Sequence, residues 1–431
     1  MQKSPDMNLK PASSSQSSTR VQSVQTPSGI EVWLVEDYTV PLLSVEFAFL
    51  GGAAQDPLGK AGLGNLMAGL LDEGAGGLTS QEFQEALEEK AIELSFDAGR
   101  DRLDGSLRTL SENIGRAFEL LGLALAAPRF DVDAIDRVRA QIISGLKRDE
   151  SDPSARARDA LSALAYPGHA YGRSAEGTIA DLATISRDDI VAHHARLFAR
   201  DNLRIVAVGA IAPDALTNAV EAAFGGLPQA PSLVPVPAVT MVGLGKREII
   251  DLDIPQSTLY LALPGIARRD SDHMSASVLN HILGGGSFTS RLWTEVREKR
   301  GLAYSVWSML SSRAQSAMFL AGTATSNERV AESLEVLLAE INKIAQEGAS
   351  ADELDKARRY LMGSYALRFD TSRKIAGQLL EIRIEELGID YIDRRNAEVA
   401  AVTLEAMQAA SARLFSSVSP LVVVAGRPQG L

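Results

Sequence analysis

The apolar positions of this chain switch period repeatedly, and the switches mark its elements. Runs such as "LLSVEFAFLGG" (42–52) and "STLYLALPG" (257–265) are rich in β-branched and aromatic residues and close on glycine, which predicts strands. The stretches 131–149 and 352–367 carry apolar residues at helical spacing with Asp near their starts, which predicts helices. Two near-continuous apolar runs, "LRIVAVG" ending at Gly209 and "LVVVAG" ending at Gly426, predict buried strands. Each half reads strand, strand, helix, helix, strand, strand, helices, final strand. Helices outnumber strands without strict βαβ alternation, so the expected class is α+β, a sheet with helices gathered on one face.

The two halves resemble each other. "FQEALEEKAIELSFDAGRD" from Phe83 aligns with "WTEVREKRGLAYSVWSMLS" from Trp293 at an offset of 293 − 83 = 210. "IDRVRAQIISGLK" from Ile135 aligns with "LDKARRYLMGSYA" from Leu354, and "ARLF" at Ala195 recurs at Ala412. Matches in one order with slowly drifting offset predict a duplicated domain. Between the copies, Pro228, Pro231, Pro235 and Pro237 deny helix and central strand and predict an extended linker. The expected organisation is a disordered Ser-rich leader (1–22), a first domain (23–227), the linker (228–245) and a second domain (246–431).

Composition narrows the function classes. Apolar residues make up 45% and charged residues 23% of 431, a globular balance, and the net charge of −12 argues against a nucleic-acid or anionic-membrane surface. The absence of cysteine removes disulfides, thiolate metal sites and a cysteine nucleophile. No apolar run reaches the length of a membrane span. The leader lacks a signal peptide's apolar core; a periplasmic location is expected if a signal has been removed, and a cytoplasmic one otherwise.

Self-sufficient chemistry is hard to find. None of the five histidines (169, 193, 194, 273, 281) has another at i+4, so no helix offers a two-His zinc face. His193 and His194 are expected to lie one on a solvated face and one semi-buried. "SGLK" (144–147) lacks the companion motifs of Ser-x-x-Lys enzymes. The loop Gly284-Gly285-Gly286-Ser287 is glycine-rich, but a helix leads into it and no Walker lysine follows, so a flexible, close-packing loop is expected rather than a phosphate cradle.

Taken together, the repeat, the proline-rich linker and two local motifs resemble the pitrilysin/insulinase clan of zinc peptidases, in particular two-domain members such as the mitochondrial processing peptidase and bacterial heterodimeric peptidases. The resemblance runs from about Ser23 to Gly430. Active members carry Gly-Leu-x-His-x-x-Glu-His on a helix, an inverted zinc motif. Laid on "GLGNLMAGLLDEG" (62–74), its ligand positions fall on Asn65 and Gly69 and its base on Ala68; the further Glu ligand falls near Gly145. The resemblance therefore implies a degenerate zinc site, no metal in this chain, and zinc in a partner.

The second motif, "VREKRGLAYSV", is intact. Arg297 and Tyr304 match the Arg/Tyr pair with which the family's C-terminal half holds the substrate backbone and steadies the oxyanion. The first copy has Leu87 and Leu94 at the same places. The resemblance implies a non-catalytic subunit, inactive alone, that pairs with a zinc-motif subunit, encloses peptides and lends Arg297 and Tyr304 to the partner's site. In non-catalytic relatives the glycine-rich loop takes part in substrate recognition; here it is short, which leaves gating or packing as open as recognition. The alternative is a purely structural peptidase-like subunit.

Overall fold

In the computed structural model the described residues are 20–415 and 419–431. Residues 1–19 of the expected leader lie outside them, and its last residue, Gln22, already opens the first strand. Strands β1 (Gln22–Gln25), β2 (Glu31–Glu36), β3 (Leu42–Leu50), β4 (Glu93–Ala98), β5 (Arg102–Leu110) and β6 (Leu203–Gly209) form one sheet in the order β1-β2-β6-β3-β5-β4. Strands β7 (Arg247–Asp251), β8 (Gln256–Pro264), β9 (Ala303–Arg313), β10 (Ser316–Ser326) and β11 (Leu421–Gly426) form a second, β7-β11-β8-β10-β9. From β2 onward the two orders coincide, including a parallel pair (β2 with β6, β7 with β11) among antiparallel neighbours. The class is α+β, as the periods predict.

One expectation fails. The helices of each half do not leave the other face of its sheet bare. Helix Pro153–Ala165 of the first half lies on β8 and β11 of the second sheet, and helix Ser372–Ile384 of the second half lies on β3 and β6 of the first. Ala157, Leu161 and Ala165 pack with Leu421, Val423 and Ala425. Ala376, Leu379 and Leu380 pack with Trp33, Val206 and Val208. The alternate residues of those strands, such as Ile205, Ala207, Val422 and Val424, face the main core of their own half. A strand apolar on both faces needs cover on both. Each half supplies the other's missing layer.

Residues 228–245 carry no helix or strand, yet they are tied to both halves. The Gln55 amide exchanges two hydrogen bonds with the Val234 main chain (2.7 and 2.9 Å). Val239 N–H donates to the Gln315 carbonyl and Val242 N–H to that of Ala165, each at 2.9 Å. No described helix is long and apolar enough to cross a membrane.

Candidate functional site

Arg297 lies in a π-helical turn, Trp293–Glu298, and Tyr304 is the second residue of β9, the edge strand of its sheet. Gly301 turns the chain between them at φ +60°, a left-handed conformation that suits glycine. Both elements are locally irregular. A π turn widens the helix by one residue and is frequent at functional sites. In the ladder, Ser305 pairs with Ala324 but Ala303 pairs with Thr325, so Tyr304 is the extra residue of a β-bulge. Such a bulge re-aims a side chain. Here it leaves Tyr304 81% exposed. The bulge is braced from β10: Thr323 Oγ1 donates to the Ser305 carbonyl at 2.7 Å and Thr325 Oγ1 to that of Leu302.

The Arg297 guanidinium sits between two rings, 4.1 Å from the Trp293 centroid and 4.5 Å from that of Tyr304. Phe288 continues the stack, edge-to-face on Trp293 at 4.6 Å. Cation–π contact holds the guanidinium in place without consuming its N–H groups. Among the described residues no carboxylate pairs with it. A fixed cation with unspent donors beside an exposed phenol is an arrangement for binding a negatively charged or carbonyl oxygen. Motif reading missed Trp293 and Phe288. The signal was present, because Trp293 precedes Arg297 by four residues, the spacing of helical neighbours.

The glycine-rich loop adjoins this stack as packing. A Cβ on Gly284 would come within 2.5 Å of Ser308 Oγ, on Gly285 within 2.6 Å of Asn280 Nδ2, and on Gly286 within 2.6 Å of the His281 carbonyl. Ser308 Oγ donates to Asn280 Oδ1 at 2.7 Å and Asn280 Nδ2 donates to the Ser308 carbonyl at 3.3 Å, which ties the loop's entry to β9. Ser287 takes a left-handed φ of +48°, and the exposed Phe288 follows it. His281 stacks on the Tyr360 ring at 5.0 Å.

The metal positions are elsewhere, in the first half. The helix that carries the degenerate motif spans only Leu63–Ala68, because Gly69 is a poor helix former and caps it. Gly62 starts it at φ +90°, where a Cβ would meet the Glu176 carbonyl at 2.7 Å. Asn65 Nδ2 points to that carbonyl at 3.5 Å, Ala68 is buried, and Gly69 faces Val138, whose Cγ1 would lie 3.1 Å from an added Cβ. Gly145 lies two turns beyond Val138 on the helix Val132–Asp149. Three of these four residues have no side-chain donor atom, and the fourth is an amide. The set does not fit zinc. Among the described residues no group of three His, Cys, Asp or Glu side chains is placed to hold a metal.

Neither His193 nor His194 is on a solvated face. His194 Nε2 meets the Leu125 carbonyl at 2.9 Å. His193 is 2% exposed, both its nitrogens lack partners, and Nε2 lies 3.9 Å from the buried Asp56 carboxylate. Asp56 in turn accepts the Gly62 and Gly64 N–H groups at 2.9 Å and so fixes the start of the Leu63–Ala68 helix. Burial lowers His193 to about 4 and raises Asp56 to about 6, the latter against the pull of those N–H groups.

Known proteins share the resemblance. Residues 184–361 match the family model of the peptidase M16 inactive domain. A non-peptidase homolog of Helicobacter pylori, YmxG, is 28% identical over 338 residues, 78% of either chain. An uncharacterized zinc protease of Streptomyces coelicolor is 26% identical over 88% of this chain and 84% of its own. The crystal structure of a peptidase M16 inactive domain from Pseudomonas fluorescens superposes with a TM-score of 0.89 at 27% identity, covering 95% of this chain and 98% of that one. A chain of complex III2 from Candida albicans shares the fold at a TM-score of 0.79 and 17% identity, over 95% of this chain and 96% of its own. With metal positions that do not fit zinc, the chain resembles the inactive members of the peptidase M16 family.

Proposed function

We propose that this chain is the non-catalytic half of a two-subunit zinc peptidase and lends Arg297 and Tyr304 to a peptide held at its partner's metal. The observation that carries the reading is the guanidinium stacked between Trp293 and Tyr304, with no carboxylate against it among the described residues. Arg297 and the Tyr304 hydroxyl are donors placed before substrate arrives, so they stabilise charge developing on a substrate carbonyl without rearranging. Trp293 positions the arginine. The Gly284–Ser287 loop, packed against β9, buttresses the same strand. The metal belongs to the partner, because Asn65, Ala68, Gly69 and Gly145, at the motif's positions here, do not make a zinc donor set.

The test is reconstitution. The chain, mixed with a zinc-motif M16 subunit from the same source, is expected to form a complex that cleaves peptides, while either subunit alone does not. Arg297→Ala should lower turnover by about 10²–10³ with complex mass unchanged. Equal turnover by the variant complex would favour a purely structural subunit. Cleavage by this chain alone, resistant to chelator, would point to an unrelated site.

A further inference from the structure

A second polar site lies far from Arg297 in sequence. Where the starts of β2 and β6 meet the end of helix Ser372–Ile384, a cavity of about 510 Å³ opens between the two halves of the chain. Three arginines line it: Arg200 and Arg204 from the first half, Arg383 from the second. Three carboxylates line it as well, Glu31, Asp201 and Glu386; Glu31 and Glu386 are engaged, and Asp201 has no ion pair among the described residues. Glu31 pairs with Arg383 at 3.1 Å and accepts from Ser23 at 2.6 Å, and Glu386 pairs with Arg269. Arg383 is also structural: it donates to the main-chain carbonyls of Ile205 (2.5 Å) and Glu31 (2.8 Å).

Arg200 and Arg204 differ. Arg200 Nη1 donates to the Ser28 carbonyl at 3.0 Å, and its buried Nε has no partner. Arg204 Nη1 turns back to the carbonyls of Asp201 and Leu203, at 3.2 and 3.0 Å. Among the described residues neither guanidinium has an ion pair. A buried guanidinium N–H left without an acceptor is destabilising, and a ligand oxygen would relieve it. Burial draws Arg383 down to about 10, against the pull of the Glu31 carboxylate and with a smaller push from Arg204. Trp33 supplies a flat apolar wall, its ring lying 5.6 Å from the Arg383 guanidinium carbon.

We propose that this cavity binds a small organic anion, a carboxylate or phosphate ester with a flat apolar portion. Its oxygens are taken by the forks of Arg200 and Arg204, and the apolar part lies toward Trp33. A cavity of this volume suits a ligand of nucleotide or tricarboxylate size. Because residues of both halves form its walls, the occupant ties them together and stabilises the folded chain by mass action.

Isothermal titration of the full chain with citrate, inorganic phosphate and adenosine monophosphate, at constant ionic strength held with sodium chloride, tests this. Saturable 1:1 binding of at least one probe is expected. Citrate alone assigns a carboxylate, either phosphate probe a phosphate, and adenosine monophosphate over inorganic phosphate the apolar wall. Arg204→Gln and Arg200→Gln should each weaken the binding probe at least tenfold while the far-ultraviolet circular dichroism stays that of the parent. Absence of saturable heat with all three probes overturns the proposal. So does equal affinity, or an equal rise in Tm, in parent and both variants, which reduces the effect to general salt.

Discussion

Two corresponding places in the molecule have opposite characters. At the 210-residue offset, Leu87 and Leu94 stand where Arg297 and Tyr304 stand in the second half. The leucines are 4% and 9% exposed and belong to the first core, whereas Tyr304 is 81% exposed. The backbone explains the difference. Leu87 lies on a regular α-helix with a capping box at Thr79 and Glu82, and β4 pairs with β5 without a shift, Leu94 opposite Leu107. Around Arg297 the helix is π-wound, and Tyr304 sits on a bulge. The fold thus has no need of a polar pair there. Two local irregularities, present in only one half, turn core positions into a surface that can meet a ligand.

The strongest way to break this comparison is to make the second half like the first. The double variant Arg297→Leu, Tyr304→Leu should lose about 10²–10³ of the turnover of a reconstituted complex. Its own unfolding free energy should change by no more than about 2 kcal/mol, the worth of the two cation–π contacts it loses. A large loss of stability in urea titration would instead make the pair structural.

Next in size is the exchanged layer. Leu379→Ala, in the helix that covers the first sheet from the second half, should cost about 2–5 kcal/mol in denaturant unfolding. If the halves unfold as one unit, both sheets melt together; two separated transitions would show that the exchange does not couple them.

The buried His193–Asp56 pair gives a pH test of the first half. His193, held neutral down to about 4, makes the parent lose stability as pH falls from 6.5 toward 4. Asp56, raised to about 6, binds its proton more readily when folded and works in the opposite sense from about 6 to 3.8. The two effects largely offset each other in the shared window. His193→Leu removes the first alone, so the variant should gain on the parent by on the order of 2 kcal/mol between pH 7.5 and 4.5, read by urea unfolding. A difference independent of pH would mean that the folded pair takes up the proton as Asp⁻ and His⁺.

The smallest effect sharpens the role of the bulge. Thr325→Val removes the hydroxyl that braces the Leu302 carbonyl. Turnover of the reconstituted complex should fall about threefold to tenfold, with a stability loss near 1 kcal/mol, the worth of one hydrogen bond. Unchanged turnover would show that Tyr304 keeps its aim without that brace.

Much of this protein could be read from its residues. Periodicity located the strands because alternating and continuous apolar runs are a direct trace of burial. The vacancy of the zinc motif was legible because it depends on side-chain identity alone: glycine and alanine cannot coordinate a metal in any fold. Arg297 and Tyr304 emerged from spacing across a short helix–turn–strand unit, and the family resemblance rested partly on them.

Properties that depend on distant contacts could not be read in that way. Val206, Val208, Val423 and Ala425 announced strands covered on both faces, but only the tertiary structure showed the cover coming from the opposite half. The bulge at Tyr304 is a matter of register with β10, and the burial of His193 depends on Asp56, 137 residues away along the chain. Arg200, Arg204 and Arg383 look like ordinary surface charges until the halves are brought together. Local sequence fixes what a residue can do. Partners distant in the chain decide what it is placed to do, because burial, field and pairing are set by whichever atoms the fold brings within a few ångströms.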